Sequence, residues 1–291
     1  MLAELATTLA ASPAHADGLA RLVADRTAPE QVYYAHRLGT QPPFDQTLPP
    51  DRAEAYVRQD LKKEAILKRL YGTKVTPVMI EAEAARINSS SHAPEILKEL
   101  KTALDNNPER FGQTVVKPLL VDRLLRDHFE NDEPVHAPQR SQMEAVRERL
   151  CTGQQRGLSI ERLVEILKQA KPDQVTEAVW QLGARPSALP SIPPTAPGVV
   201  GTREEAKPAL APSPSEGDTA FYFEDLPVPL RKVLRVQLSK AGDFSAVIEL
   251  RSRFNLYLAT EKNRDALRVA VLSIPKLALE EWLAKQSDYT P

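Results

Sequence analysis

The sequence predicts a mainly α chain with a small α+β module toward its C-terminal end. Three observations lead there. Apolar residues recur at helical spacing from residue 17 to about residue 182. The period then changes, and the runs 244–250, 253–260 and 266–274 alternate as half-buried strands. Between these regions lies 183–218, where eight of the 25 prolines fall among Ala, Ser and Thr without periodicity, the composition of a linker or long loop. The division expected is therefore a helical domain over 17–135, a helical connection or first part of the second module over 136–182, a Pro-rich linker over 183–218, and an α+β half-domain with a C-terminal helix over 219–287.

In chain order, Leu19, Leu22, Val23, Val32 and Tyr33 predict one long helix, or two short ones broken near Pro29. Residues 39–50 read as a Pro-rich loop anchored by Phe44 and Leu48. Tyr56, Val57, Leu61, Ile66, Leu67 and Leu70 form a broad stripe on a helix that Gly72 ends. Thr76 before Pro77 is an N-cap followed by the first helical residue, and Val78, Ile80, Ala84 and Ile87 carry that helix to Asn88. From Pro94 to Asp132 the pattern is a helical hairpin, with Ile96, Leu97, Leu100 and Leu104 before an Asn-Asn-Pro break, and Phe111, Val115, Leu119, Leu120 and Leu124 after it. Asn107 caps the second arm. Further helices are expected from Gln139 to Cys151, ended by Gly153, from Ser159 to Ala170, and from Pro172 through Val175, Val179, Trp180 and Leu182. A helix from Val228 to Leu238 precedes the strands, and Leu277, Leu279, Trp282 and Leu283 form the last one.

Composition removes several function classes. Lys plus Arg number 38 against 39 Asp plus Glu, so a net charge of -1 supplies no footprint for nucleic acid or an anionic membrane surface. The apolar runs are too short for a membrane span. Cys151 is the lone cysteine, which excludes an internal disulfide and a cysteine-cluster metal site; a buried inert thiol is the expected role. His15, His36, His92, His128 and His136 lack metal-ligand spacing and read as ordinary surface or core residues, with His136 on a solvated loop between prolines. Met1 to Ala16 ends in Ala-His-Ala, as at a signal-peptidase site, but without the basic start of an export signal. No phosphate-binding Gly loop is present, which disfavours ATP-driven action.

The wording of the hairpin carries a family resemblance. Pro94, Glu95, Leu97, Glu99, Leu100, Ala103, Leu104, Asn107 and Pro108, followed by Lys117, Pro118, Leu119, Leu120, Val121, Arg123, Leu125, Arg126, Phe129 and Asp132, resemble the N-terminal helical region of SurA-like periplasmic chaperones and parvulin-type foldases. Val-Tyr-Tyr-Ala-His-Arg-Leu-Gly from Val32, with Pro-Pro-Phe shortly after, resembles the start of the chaperone region in the same proteins, where a first helix crosses over to a second, and Val-Thr-Pro from Val75 is similar to a helix start common in foldases. Leu238, Gly242, Ser245, Phe254, Asn255 and Leu258 resemble the second half of a parvulin domain, and Arg149, Leu150 and Gly153 the end of its first helix.

The resemblance implies a SurA-N-like helical domain plus a parvulin-like antiparallel sheet with helices. It implies export, most simply to the periplasm of a Gram-negative-type bacterium, and an ATP-independent chaperone or foldase acting on unfolded or extended polypeptides. No cofactor, metal, nucleic acid or membrane insertion is implied, and the oligomeric state stays open. Apolar or aromatic client segments would meet Phe44, Phe111, Leu119, Phe129, Phe254 and Tyr257. Parvulin isomerases lower the roughly 18–20 kcal/mol barrier to X-Pro rotation using paired histidines. Here Asn255 stands at one histidine position, and residues 137–291 contain no histidine, so the usual pair is missing and no catalytic residue is assigned. The enzyme question therefore stays open and inclines to a non-catalytic module. Two alternatives remain: an active peptidyl-prolyl isomerase with unusual groups, and a helical adaptor for one dedicated partner.

Overall fold

A computed structural model describes residues 13–183 and 221–286. The expected linker lies outside the described residues except for Gly183, as does most of the leader-like stretch. No described helix is long and apolar enough to cross a membrane. The chain is mainly helical with one small antiparallel sheet, and it divides into two units. One unit joins the residues before Glu133 to those after Leu277; the other runs from Glu133 to Leu277.

The first unit holds α1 (Pro13–Ala35), α2 (Phe44–Thr47), α3 (Pro50–Tyr71), α4 (Pro77–Ser90), α5 (Pro94–Ala103), α6 (Pro108–Phe111), a π-helical turn (Gly112–Val116) and α7 (Lys117–Glu130). Of the two readings of this stretch, the single long helix is the one found, and α1 runs through Pro29. Local grammar sets most ends. Gly72 closes α3 at φ +65, a conformation that favours glycine. The Thr76 hydroxyl accepts from Met79 N, and Asn107 Oδ1 accepts from Glu109 N and Arg110 N at 2.9 and 3.1 Å. Asp105 and Asn106 take φ of 59 and 52, the left-handed region that short polar side chains tolerate, and so reverse the chain between α5 and α6. Ile80, Leu100, Leu104, Phe111, Val115, Val116 and Leu120 bury together as a core of this unit.

The π turn has a sequence cause. Pro118 has no N–H to give to the carbonyl of Thr114, the α-helical partner four residues back. The ladder widens just before it, and Lys117 N bonds Gly112 O, five residues back. Gly112 also lets this turn lie close to α4, since a Cβ there would stand 3.2 Å from Ile80 Cγ2.

In the second unit, α8 (Glu133–Gln155) and α9 (Ile160–Ala170) precede β1 (Val175–Gln181); α10 (Val228–Gln237), β2 (Ile248–Glu249), β3 (Arg253–Lys262) and β4 (Ala266–Pro275) follow. The sheet order is β1-β4-β3-β2, with every neighbour antiparallel. Met143, Val146, Leu150, Leu163 and Leu167 of α8 and α9 cover one face, against Phe254, Leu256, Leu258, Ala270, Leu272 and Ile274. Leu234 and Leu238, with Phe223 and Trp180, cover the other, against Tyr257, Ala259, Leu267, Val269 and Val271.

Several expectations are corrected here. The segment after Pro172 is a strand, not a helix: its β-branched and aromatic residues pair with β4 from Val175↔Leu272 to Gln181↔Ala266. β3 is not half-buried, because both faces of the sheet are covered and Phe254 to Ala259 are all buried. The expected strand over 244–250 shrinks to Ile248–Glu249 plus a bridge from Phe244 to Leu258. Tyr257 N donates to Ser245 Oγ at 3.0 Å, so a side chain takes the place of a ladder carbonyl. Gly153 lies inside α8, where a Cβ would meet Leu158, Leu163 and Ile166, and Gly157, at φ +69, follows the end of α8. The last helix, α11 (Leu279–Ala284), belongs to the first unit and not to the sheet module. Its Trp282 packs on Phe129 and Tyr71, and Lys62 Nζ donates to Leu283 O at 2.9 Å.

Candidate functional site

Within the first unit, α1, α3, the π turn and α7 line a half-open cavity of about 140 Å3. Its apolar wall is the inward stripe of three helices: Leu22, Val57, Leu61, Pro118 and Val121. Val57 and Val121 are buried at 6% and 2% exposure. Polar residues complete the lining, and their charges pair with one another. Arg26 reaches Asp60 at 3.4 Å and Glu30 at 3.0 Å, and Lys117 reaches Glu64 at 2.7 Å. Opposite charges alternate across the rim, so it presents little net charge to a guest.

Two carboxylates near the rim respond oppositely to their surroundings. Burial pushes Asp60 above its ordinary pKa, against the pull of Arg26 and Lys63 and with the help of Asp122 and Glu30. Burial acts in the same direction on Asp122, but the hydrogen bond and charge of Lys63, then Arg126, hold it below its ordinary value. Thr114, contributed by the π turn, is 5% exposed and lines the cavity. Its hydroxyl has no hydrogen-bond partner, unlike a helical threonine that bonds back along its own turn.

The sheet carries a second polar feature. Asn255 Nδ2 donates to the Tyr257 hydroxyl at 2.9 Å, and the Ser273 hydroxyl donates to Asn255 Oδ1 at 2.9 Å. Asn255 and Tyr257 are 6% and 5% exposed, and burial raises the Tyr257 pKa. This is a satisfied interior network that orients three side chains.

The six side chains expected to meet a client are spread over both units. Phe111 and Phe129 are buried in the helical unit, at 5% and 3% exposure. Phe254 and Tyr257 are buried on opposite faces of the sheet. Phe44 is half-buried with its ring edge-on to Tyr34 at 5.4 Å, and Leu119 is exposed on α7. Of the set, only Leu119 and part of Phe44 are presented at the surface. The cavity residues Leu22, Val57, Leu61 and Val121 carry a periodic signal in the sequence, but that signal marks any inward helix face. Thr114 carries none.

Among the described residues the histidines show no common centre. His36 pairs with Glu99 at 2.8 Å, and His128 stacks on Tyr71 at 4.9 Å while facing the Thr73 hydroxyl at 3.0 Å. His136, expected on a solvated loop, is buried at 2% because α8 already begins at Glu133. Cys151 is half-buried rather than interior. Among the described residues no group of three or more His, Cys, Asp or Glu is placed to hold a metal ion. No protein-family model, curated protein or solved structure matches this chain.

Proposed function

We propose that this chain is an ATP-independent chaperone or foldase for exported polypeptides, and that its helical unit holds extended apolar segments. The observation that carries the reading is the cavity between α1, α3 and α7, apolar within and self-neutralised at the rim. A pocket of about 140 Å3 seats one side chain, not a folded surface. Burying one such side chain yields roughly 1.5–3 kcal/mol, while ordering and immobilising a chain costs several. Binding is then weak and reversible, as release of a client requires. The wording of the hairpin from Pro94 to Asp132, which includes Lys117, Pro118 and Val121 at the cavity, supports the same reading.

The test is light scattering of an unfolded outer-membrane protein during dilution from denaturant. Stoichiometric amounts of the full chain are expected to suppress aggregation, and replacing Leu61, a half-buried wall residue, by Trp is expected to weaken that suppression. Undiminished aggregation with the native chain rejects the reading. A pull-down yielding a single stoichiometric partner would point to a dedicated adaptor. Protease-coupled isomerisation of an X-Pro peptide decides the catalytic alternative, since the uncatalysed reaction takes tens of seconds.

A further inference from the structure

We propose that the free edge of β1 accepts one added strand, an extended polypeptide segment that pairs with Glu177 and Val179 and carries a lysine or arginine opposite Glu177.

The backbone of β1 supplies the first part of the argument. β1 stands at one end of the sheet, with β4 on its inner side. Two hydrogen bonds fix which groups face which way. Leu182 N donates to Asp265 O at 2.7 Å, toward β4, and Gln181 N donates to Phe221 O at 2.8 Å, away from it. Ladder groups alternate along a strand, so the N–H and C=O groups of Val179 and Glu177 also point away from β4. Among the described residues no backbone group meets them, and both side chains are exposed, Val179 at 37%. Such a row of unmade bonds is a template for another strand. The far end of the sheet offers less: β2 has two residues, and the nearby Ala246 N donates to Gln237 Oε1 at 2.8 Å.

The shape and charge of the edge decide its occupant. Phe221 and Tyr222 close it at Gln181, and the short 3-10 helix Pro172–Gln174 closes it before Val175. The open window is 175–179, with Glu177 at its centre. A second copy paired antiparallel across that window would set Glu177 directly opposite its own counterpart, and like charges so placed oppose pairing. Moving the two-fold axis to Ala178 would bring Val175 of one copy to Gln181 of the other, where Phe221 already stands. An axis at Thr176 would run each copy into the other's 3-10 helix. The edge thus disfavours its own copy and favours a segment of opposite charge. Among the described residues Glu177 is without an ion-pair partner, so its carboxylate is available to that cation.

Register completes the description. Val175, Glu177 and Val179 share one face of the strand. A matching segment therefore alternates, with a cation at the centre and an apolar β-branched residue two positions to either side. That the natural segment belongs to an exported client rests on the chaperone reading; the pairing does not.

The test uses the full chain and three capped heptapeptides: Thr-Val-Thr-Lys-Thr-Val-Thr, its counterpart with Glu in place of Lys, and the Lys peptide N-methylated at Lys and both Val. Binding is read by NMR titration and by hydrogen exchange of the Glu177 and Val179 amides. The Lys peptide is expected to bind about fivefold more tightly than the Glu peptide, the difference between an attractive and a repulsive cross-strand pair. It should slow exchange at both amides, while the N-methylated peptide, which lacks the ladder donors, should not bind. Glu177→Lys, a substitution at an exposed position, should reverse the order of the Lys and Glu peptides. The proposal is overturned by an absence of saturable Lys-peptide binding, by equal binding of the N-methylated form, or by an unchanged order in Glu177→Lys. A concentration-dependent dimer that protects these amides before any peptide is added also overturns it, by assigning the edge to a second copy. Aggregation suppression is read separately, so a chain that holds clients but takes no strand at β1 fails here alone.

Discussion

The ring of Trp282 lies 5.2 Å from that of Phe129, tilted by 45°, so α11 completes a core that α7 leaves open. Both are largely buried, and Tyr71 of α3 stands 6.3 Å from Trp282 on another side. Trp282→Ala is expected to cost the helical unit about 3 kcal/mol, within the range for deleting a buried aromatic side chain. Urea unfolding checks this. The two tryptophans help, because Trp180 reports on the sheet and Trp282 on the helices; in Trp282→Ala the remaining Trp180 signal should keep its midpoint while far-UV ellipticity is lost earlier. A helical-unit midpoint unchanged by the substitution would show that α11 contributes nothing.

Glu83 gives a pH dependence of defined sign. It is buried at 5% in α4 and accepts from Arg86 at 2.7 and 3.0 Å and from Arg123 at 2.8 Å. The hydrogen bonds from Arg86 lead in holding its pKa below the ordinary 4.5, burial opposes them, and Arg123 adds to the lowering. A depressed folded-state pKa contributes stability that is complete above the unfolded value and is lost as pH falls through the folded one. Glu83→Gln should therefore destabilise at pH 7, by about 1 kcal/mol once the exposure of both arginines is allowed for. The gap to the native chain should close as pH drops below 4.5. Thermal melts at pH 7, 4.5 and 3 would reveal a pH-independent gap if this account is wrong.

Asp60 has the opposite sign. Its folded-state pKa is raised above 3.8, chiefly by burial beside the cavity. Stability from such a group is complete below 3.8 and is lost as pH rises through the folded value. Asp60→Asn should compare worst with the native chain at the acid end and gain on it as the medium approaches neutrality. Melts of the pair over that range should show the variant rising relative to the native chain as pH increases; a relative fall toward neutrality contradicts the assignment.

Gly153 sets helix propensity against packing. Alanine is favoured over glycine by about 1 kcal/mol inside a helix. Its Cβ, however, would stand 3.0 Å from Leu158 Cδ1 and Leu163 Cδ2, and 3.3 Å from Ile166 Cδ1. Leu158 is partly exposed and can yield, but Leu163 is held in the core against the sheet. Overpacking of a core typically costs about 1–3 kcal/mol. Gly153→Ala is expected to destabilise the sheet unit by about 1 kcal/mol net, measured by urea unfolding on Trp180 fluorescence. A stabilised variant would mean that Leu163 relaxes freely.

Most helices are legible in the sequence because they bury one stripe and carry their caps with them. Thr76, Asn107 and Gly72 mark their ends by local hydrogen bonding and backbone preference alone, and each stands where it reads. Val175 to Gln181 was not legible as a strand, because its apolar residues fit either period and Pro172 resembles a helix start; pairing with β4 decides it. Phe111, Phe129, Phe254 and Tyr257 illustrate a related limit. An aromatic side chain reads the same whether it meets a partner or its own core, and tertiary packing places all four inside. The cavity depends on three helices far apart in sequence, and Thr114 sits in a wide turn that Pro118 imposes and Gly112 lets pack against α4.

The split composition of the helical unit affects the order in which the protein is made. Residues 133–277 must leave the ribosome before α11 can reach its place. At ~5–20 residues per second, that is on the order of 7–30 s during which Phe129 and Tyr71 lack the ring that covers them. The nascent chain thus exposes a small aromatic surface for about half of its own synthesis, and the helical unit closes only after the sheet unit has emerged.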